Sequence, residues 1–131
     1  MKRILVVDDE HDHAYVFALI LEDHGFIVDT FTDPTKALSE FRLDYYDLII
    51  LDYYMENING LDLCKKIKSL DRSPKTLLVT AGYEQLQLQI SEIKKNFVLV
   101  LKKPISGSRL LKEVCTILNQ YYIIPNDENY M

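Results

Sequence analysis

Five short apolar runs alternate with five longer amphipathic stretches along this chain of 131 residues. The runs have the length of buried strands, and the stretches between them place apolar residues at the i, i+3, i+4 and i+7 spacing of helices. An alternating order of strands and helices predicts a parallel sheet with helices on both faces and right-handed crossovers. The pattern therefore predicts a single three-layer α/β domain.

The strands are predicted at residues 4–7, 27–31, 48–51, 76–79 and 97–101. Gly25 is placed to end the first helix, and Asp33 with Pro34 gives the second helix a capping side chain and a proline at its first position. Segment 85–90 alternates strictly between polar and apolar residues, which favours a strand. We predict a helix there, because a crossover is needed at that point and apolar residues also lie at helical spacing.

Composition narrows the class of protein. Hydrophobic residues make up 48% of the chain, enough for a core, and the net charge is −5 with no long basic run. Direct binding of nucleic acid needs a basic footprint and is therefore disfavoured. No apolar stretch approaches the length of a membrane span, so we expect a cytoplasmic chain that does not contact membranes. Cys64 and Cys115 are predicted to be buried reduced thiols rather than a disulfide.

Polar side chains follow four of the predicted strands. Asp8 and Asp9 follow the first, Asp52 the third, Thr80 the fourth, and Lys103 comes just past the fifth. In an open parallel sheet, ligands bind outside the carboxyl ends of the strands, so these residues are expected to meet at one edge. Three carboxylates, a hydroxyl and an ammonium there indicate a site for a divalent cation and a phosphoryl group.

Four motifs carry a family resemblance when they are taken in order. They are Val7-Asp8-Asp9-Glu10, Leu51-Asp52-Tyr53-Tyr54-Met55 with Gly60, Val79-Thr80-Ala81 and Lys103-Pro104. Together they resemble the receiver domain of two-component response regulators, over residues 2–121. The resemblance implies a flavodoxin-like fold with strand order 2-1-3-4-5. It also implies a receiver domain at residues 1–122, followed by a short polar tail at 123–131.

The resemblance assigns the acidic residues their roles. Asp52 would be the phospho-acceptor, which suits a carboxylate because it can attack phosphorus and form an acyl phosphate. Asp8 and Asp9 would hold Mg²⁺ (or Mn²⁺) together with Asp52 and the backbone carbonyl of Tyr54. A hard cation with oxygen ligands would relieve the repulsion between three neighbouring carboxylates.

Three further residues receive roles from the same resemblance. Lys103 would pair with the phosphoryl oxygens, and Thr80 would donate its hydroxyl to one of them and so sense phosphorylation. The peptide bond between Lys103 and Pro104 would be cis, which aims the lysine inward.

The resemblance also implies partners. A sensor histidine kinase or a histidine phosphotransfer protein would donate the phosphoryl group. The face around the fourth helix, fifth strand and fifth helix would then present a changed surface to a downstream partner, which the sequence does not name. Such a domain is a signalling switch rather than an enzyme that turns over external substrates.

The chain departs from the family pattern at four positions. Glu56 replaces the usual proline after the methionine, and Val100 lies where many receivers have an aromatic residue that moves with the threonine. We therefore expect residues 82–90 to carry more of the conformational relay. Tyr54 and Gly82 occupy the two positions that tune hydrolysis of the acyl phosphate, and a bulky tyrosine there predicts slow decay.

Three alternatives stay open. An aspartate-based phosphohydrolase needs a second acid two residues after its nucleophile, where this chain has Tyr54, and usually a cap domain. A flavodoxin-like nucleotide-binding protein needs a glycine-rich phosphate loop after the first strand, where this chain has Asp8 and Asp9. A receiver-like interaction module that works without phosphorylation is kept open by Val100.

His11 and His13 suggest a transition-metal site, but side chains two apart on a helix diverge, so solvated or capping histidines are predicted.

Overall fold

Residues 1–122 are described by the computed structural model, and they fold around one five-stranded sheet. The predicted tail at 123–131 lies outside the described residues. The strands are β1 (Arg3–Val7), β2 (Ile27–Phe31), β3 (Leu48–Leu51), β4 (Lys75–Thr80) and β5 (Leu99–Lys102). All neighbouring pairs are parallel and the order is β2-β1-β3-β4-β5, which confirms the predicted flavodoxin-like topology.

The connections between the strands are helical. They are α1 (His11–Asp23), α2 (Pro34–Ser39), α3 (Gly60–Leu70), a 3₁₀ helix (Tyr83–Gln89) running into α4 (Ile90–Asn96), and α5 (Gly107–Ile117). Segment 85–90 is thus helical, as predicted. Its first turns are 3₁₀ rather than α, with a break at Leu86 (φ −100°, ψ 24°).

Both predicted helix boundaries are confirmed. Gly25 follows α1 with φ +103°, a conformation that glycine adopts without strain. The Asp33 carboxylate accepts a hydrogen bond from the Thr35 backbone N–H at 2.9 Å and caps α2. The apolar side chains at the i, i+3, i+4 and i+7 positions of α1 are all buried: Ala14, Phe17, Ala18 and Leu21.

The core is divided by the sheet into two clusters. Successive residues of a strand face opposite sides, so Ile4 and Val6 pack with α1 and α5, whereas Leu5 and Val7 pack with α2, α3 and α4. Cys115 lies in the first cluster and Cys64 in the second, both buried and free, as predicted. Burial raises the pKa of the Cys64 thiol, which keeps it protonated.

Three details of the sequence prediction are wrong. The fifth strand begins at Leu99 instead of residue 97, because Phe97 ends α4 by donating its N–H to the Ile93 carbonyl. Leu70 continues the helical spacing of Leu63 and Ile67, which predicts an inward position, but it is exposed because it is the last residue of α3, next to the extended Asp71. Tyr121 continues the spacing of Val114 and Leu118 in the same way, but it is exposed because α5 ends at Ile117, four residues before it.

Candidate functional site

The carboxyl edge of the sheet brings the acidic residues together. The backbone N–H of Asp52 donates to the Val7 carbonyl at 3.1 Å, which fixes the end of β3 beside the end of β1. One carboxylate oxygen each from Asp8, Asp9 and Asp52 lies within 4.8 Å of the other two. Asp8 is 2% and Asp52 6% exposed, while Asp9 is half-buried. The sequence prediction that these residues share one edge agrees with this geometry.

Lys103 reaches into this cluster from beyond β5. Its ammonium nitrogen Nζ lies 2.6 Å from Asp8 Oδ2 and 3.1 Å from Asp52 Oδ2. The peptide bond between Lys103 and Pro104 is cis, the geometry that the resemblance implied. Lys103 therefore bridges the ends of β1 and β3 from the far side of β4.

The charges in the cluster do not balance. Burial alone would lower the pKa of Lys103, but hydrogen bonds to Asp8 and Asp52 and the charges of both carboxylates outweigh burial and raise it, so the ammonium stays charged. Burial raises the pKa of Asp8, and the hydrogen bonds from Lys103 and from the Glu10 backbone N–H only partly offset this. The cluster thus contains three carboxylates and one ammonium, which pairs with two of them, and a further cation would lower the free energy of the ionised cluster.

Thr80 lies at the carboxyl end of β4 and is fully buried. Its hydroxyl donates to the carbonyl oxygen of the next residue, Ala81, at 3.0 Å. The hydroxyl is therefore engaged in its own turn, and it would have to leave that bond to donate to a group on Asp52.

Tyr54 and Gly82 face each other across the mouth of the site. The Tyr54 hydroxyl lies 3.5 Å from the Gly82 carbonyl oxygen and 3.4 Å from Gln85 Oε1. Its ring packs edge-on against Tyr53, with centroids 4.9 Å apart. The tyrosine is 44% exposed and so forms one wall of the entrance to Asp52.

The two other departures from the family pattern have structural consequences. The backbone N–H of Glu56 donates to Asp9 Oδ2 at 3.3 Å, a bond that a proline at this position could not make. Val100 is partly buried and packs against the cluster that also contacts Tyr83. Val100 and Tyr83 thus both pack against the core cluster on the side of the sheet that carries α2, α3 and α4.

Sequence reasoning missed one residue of the site. His13 Nδ1 lies 2.8 Å from Lys103 Nζ and 3.7 Å from Asp8 Oδ2, so the prediction of a solvated or capping histidine is wrong for His13. His11 is exposed, in agreement with that prediction. The signal that could have identified His13 is its position one turn before the buried Phe17, which directs it toward the sheet.

A cavity of about 450 Å³ opens beside the cluster. Asp52, Lys103 and His13 contribute its polar floor, and its apolar wall includes Phe17 and Ile105. The Asp52 carboxylate is therefore accessible to a group that approaches between α1 and the segment after β5.

Comparisons with known proteins agree with this geometry. The fold and the strand-end cluster define a flavodoxin-like α/β protein with an acidic site at the carboxyl edge of its sheet. The family model of the response regulator receiver domain matches residues 4–115, and the chain belongs to that family. Over 120 residues it is 40% identical to the response regulator ArlR of Staphylococcus aureus, a match that covers 92% of this chain and 54% of ArlR. The chain thus spans about half the length of the curated relatives it matches.

Solved structures show the same fold. A CheY-like receiver domain from Methanospirillum hungatei superposes with a TM-score of 0.82 at 25% identity, covering 91% of this chain and 94% of that one. The response regulator TrrA from Thermotoga maritima, solved in complex with Mg²⁺ and BeF, gives a TM-score of 0.77 at 31% identity, covering 90% and 100%. Among the described residues, no helix is both long enough and apolar enough to cross a membrane.

Proposed function

We propose that this receiver domain accepts a phosphoryl group on Asp52 from a phosphohistidine of a sensor histidine kinase or a histidine phosphotransfer protein. The observation that carries the proposal is the position of the Asp52 carboxylate. It lies between two further carboxylates and the Lys103 ammonium, at the floor of an open cavity. Membership of the receiver family supports the same assignment.

The transfer is a nucleophilic displacement at phosphorus. An Asp52 carboxylate oxygen bonds to phosphorus, the phosphorus–nitrogen bond of the donor breaks, and the donor imidazole keeps the electron pair and takes up a proton. Lys103 stays charged in its buried position and can pair with the oxygens of the transferred group. Thr80 can then exchange its bond to Ala81 for one to a phosphoryl oxygen.

The donor set at this edge fits Mg²⁺ or Mn²⁺. Carboxylate oxygens are the ligands that these hard cations prefer, and three of them already lie within 4.8 Å of one another. Asp8, Asp9, Asp52 and the backbone carbonyl of Tyr54 would hold the ion. When bound, it supplies positive charge that offsets the negative charge of the phosphoryl oxygens.

The proposed readout lies on the face formed by α4, β5 and α5. Phosphorylation can change that face only through contacts that differ between two conformations. Residues 82–90 lie in the covalent path from Thr80 at the end of β4 to α4, one of the three elements of this face. A downstream partner would bind there in one state more tightly than in the other.

Treatment with acetyl phosphate and Mg²⁺ tests the proposal. The wild-type protein is expected to gain one phosphoryl group in its intact mass, and Asp52→Asn none. Asp62→Asn is a matched control, because it makes the same change at an exposed aspartate on α3. This substitution should leave labelling unchanged.

Two results would overturn the assignment. Equal labelling of wild type and Asp52→Asn would place the acceptor elsewhere. Absence of labelling, together with absence of any spectral response to beryllofluoride and Mg²⁺, would favour an interaction module that works without phosphorylation.

A further inference from the structure

His13 connects helix α1 to the phosphoryl site through a side-chain hydrogen bond. Its Nδ1 lies 2.8 Å from Lys103 Nζ, and its Nε2 lies 3.4 Å from Glu10 Oε2. The imidazole is about half-exposed, whereas Lys103 is almost fully buried. The outer edge of the ring thus faces solvent and its inner edge faces the buried ammonium.

The donors and acceptors around Lys103 fix the state of the ring. A lysine ammonium has three N–H donors and no acceptor, and three acceptors surround it, in Asp8, His13 and Asp52. Nδ1 must therefore accept through its lone pair. The ring is then neutral, with its proton on Nε2, the atom that faces the Glu10 carboxylate.

A neutral acceptor has a specific advantage at this position. The neutral imidazole completes the hydrogen bonds of Lys103 and leaves the positive charge of the ammonium in place. A further carboxylate in the same position would cancel that charge. The bonds to Asp8 and His13 also do not involve the acceptor Asp52, so both can persist while Asp52 changes from a carboxylate to an acyl phosphate.

We infer that His13 is a positioning residue that holds the Lys103 ammonium in place for phosphoryl transfer to Asp52. The inference rests on the proposed function. Replacing His13 with leucine removes the acceptor and leaves an apolar side chain in its place. The rate of phosphorylation by acetyl phosphate at saturating Mg²⁺ is then expected to fall roughly three- to tenfold, as for loss of a partly exposed hydrogen bond to a charged group.

Two matched variants separate positioning from packing. His13→Asn places an amide oxygen close to the position of Nδ1 and is expected to restore most of the rate, although it fills less of the space than leucine does. His11→Leu makes the same change two residues earlier on the exposed face of α1, and it should leave the rate unchanged. Imidazole ¹⁵N shifts of the wild type are expected to show an unprotonated Nδ1 and a protonated Nε2.

The outcomes distinguish the two proposals. A wild-type protein that is not labelled, or labelling that persists in Asp52→Asn, refutes the proposed function and the role of His13 with it. Labelling of the wild type combined with an undiminished rate in His13→Leu refutes only the role of His13. The same conclusion follows if His13→Asn is as slow as His13→Leu, or if the spectrum shows a proton on Nδ1.

Discussion

Gly60 lies against the backbone of Asp52, the proposed acceptor, and that backbone occupies the space that a side chain at Gly60 would need. A Cβ atom at Gly60 would overlap the Asp52 carbonyl oxygen and would lie 3.1 Å from the Tyr53 Cα. The Gly60 N–H also donates to the Tyr53 carbonyl at 2.9 Å. The first residue of α3 thus sets the position of the acceptor backbone directly, by close approach and a hydrogen bond.

Gly60→Ala is therefore expected to destabilise the domain and to slow phosphorylation of Asp52. Backbone atoms must shift to admit the methyl group, so we expect a loss of about 2–3 kcal/mol in the free energy of unfolding, measured by urea denaturation. Asn59→Ala is the control, because it removes only the cap of the same helix and should cost about 1 kcal/mol. A Gly60→Ala protein as stable as Asn59→Ala would show that the close approach is relieved without strain.

Tyr54 is expected to slow hydrolysis of the acyl phosphate. Its hydroxyl lies near Gly82 and Gln85, so the ring narrows the path of water to Asp52. Tyr54→Ala opens that path and should shorten the half-life of the phosphorylated protein several-fold, followed as loss of label after removal of acetyl phosphate. Tyr15→Ala changes an exposed tyrosine on α1 and serves as the control. An unchanged half-life in Tyr54→Ala would contradict the prediction.

Residues at strand ends could be predicted from the sequence, and residues placed by helix rotation could not. Asp8, Asp52 and Lys103 follow recognisable apolar runs, and parallel topology alone brings such ends together. His13 reaches the site because α1 turns that face inward, and its partner Lys103 is 90 residues away. The direction of the Thr80 hydroxyl likewise depends on a single torsion that no pattern encodes.

The 3₁₀ segment Tyr83–Gln89 is the element best suited to move. It follows Gly82, which has φ +65°, and it is interrupted at Leu86. Its outer surface carries Leu88, 95% exposed, and its Glu84 pairs with Lys102 of β5 at 3.0 Å. Such a segment can rearrange while the strands on either side remain paired.

Backbone amide shifts should locate the relay in this segment. Val100 cannot rotate as an aromatic residue would, so we expect the largest shift changes within residues 82–90 when beryllofluoride and Mg²⁺ are added. Amides of α3 outside its first turn serve as the internal reference, and Asp52→Asn serves as the chemical control. Unchanged shifts in 82–90, with changes elsewhere on the α4, β5 and α5 face, would refute this path.

The type of each helix and strand could be predicted from the sequence. The 3₁₀ geometry of segment Tyr83–Gln89 and the first residue of β5 could not. The need for a crossover and the helical spacing of its apolar residues predict a helix at segment 85–90, against its strict polar–apolar alternation, and the segment is helical. The 3₁₀ geometry was not predicted, because it depends on packing of Leu86 into the core beside α4. The apolar pattern predicts the start of β5 two residues early, because Phe97 is apolar and is buried at the end of α4 as it would be in a strand.

At the scale of the whole molecule, the acidic edge reduces stability when no cation is bound. Mg²⁺ is expected to stabilise the folded state by RT ln(1 + [Mg²⁺]/Kd), about 2.7 kcal/mol at one hundred times Kd, which raises the unfolding temperature by several degrees. The shift should be reversed by EDTA and strongly reduced in Asp9→Asn, as measured by calorimetry.

Ionic strength needs its own control, since salt alone screens repulsion between carboxylates. NaCl at matched ionic strength should reproduce only a small part of the Mg²⁺ effect. An equal rise in both salts, or an undiminished rise in Asp9→Asn, would mean that the cluster does not bind the ion specifically.

The ion pair between Lys103 and Asp8 joins residues 95 positions apart, and this separation bears on how the domain is made. Contacts between residues so distant in sequence form late, because a long loop must close first. During synthesis, a chain that has emerged only through β4 contains all three carboxylates but not the ammonium that pairs with two of them. The acidic edge therefore acquires the counter-charge of Lys103 only after the last strand has been synthesised and has joined the sheet.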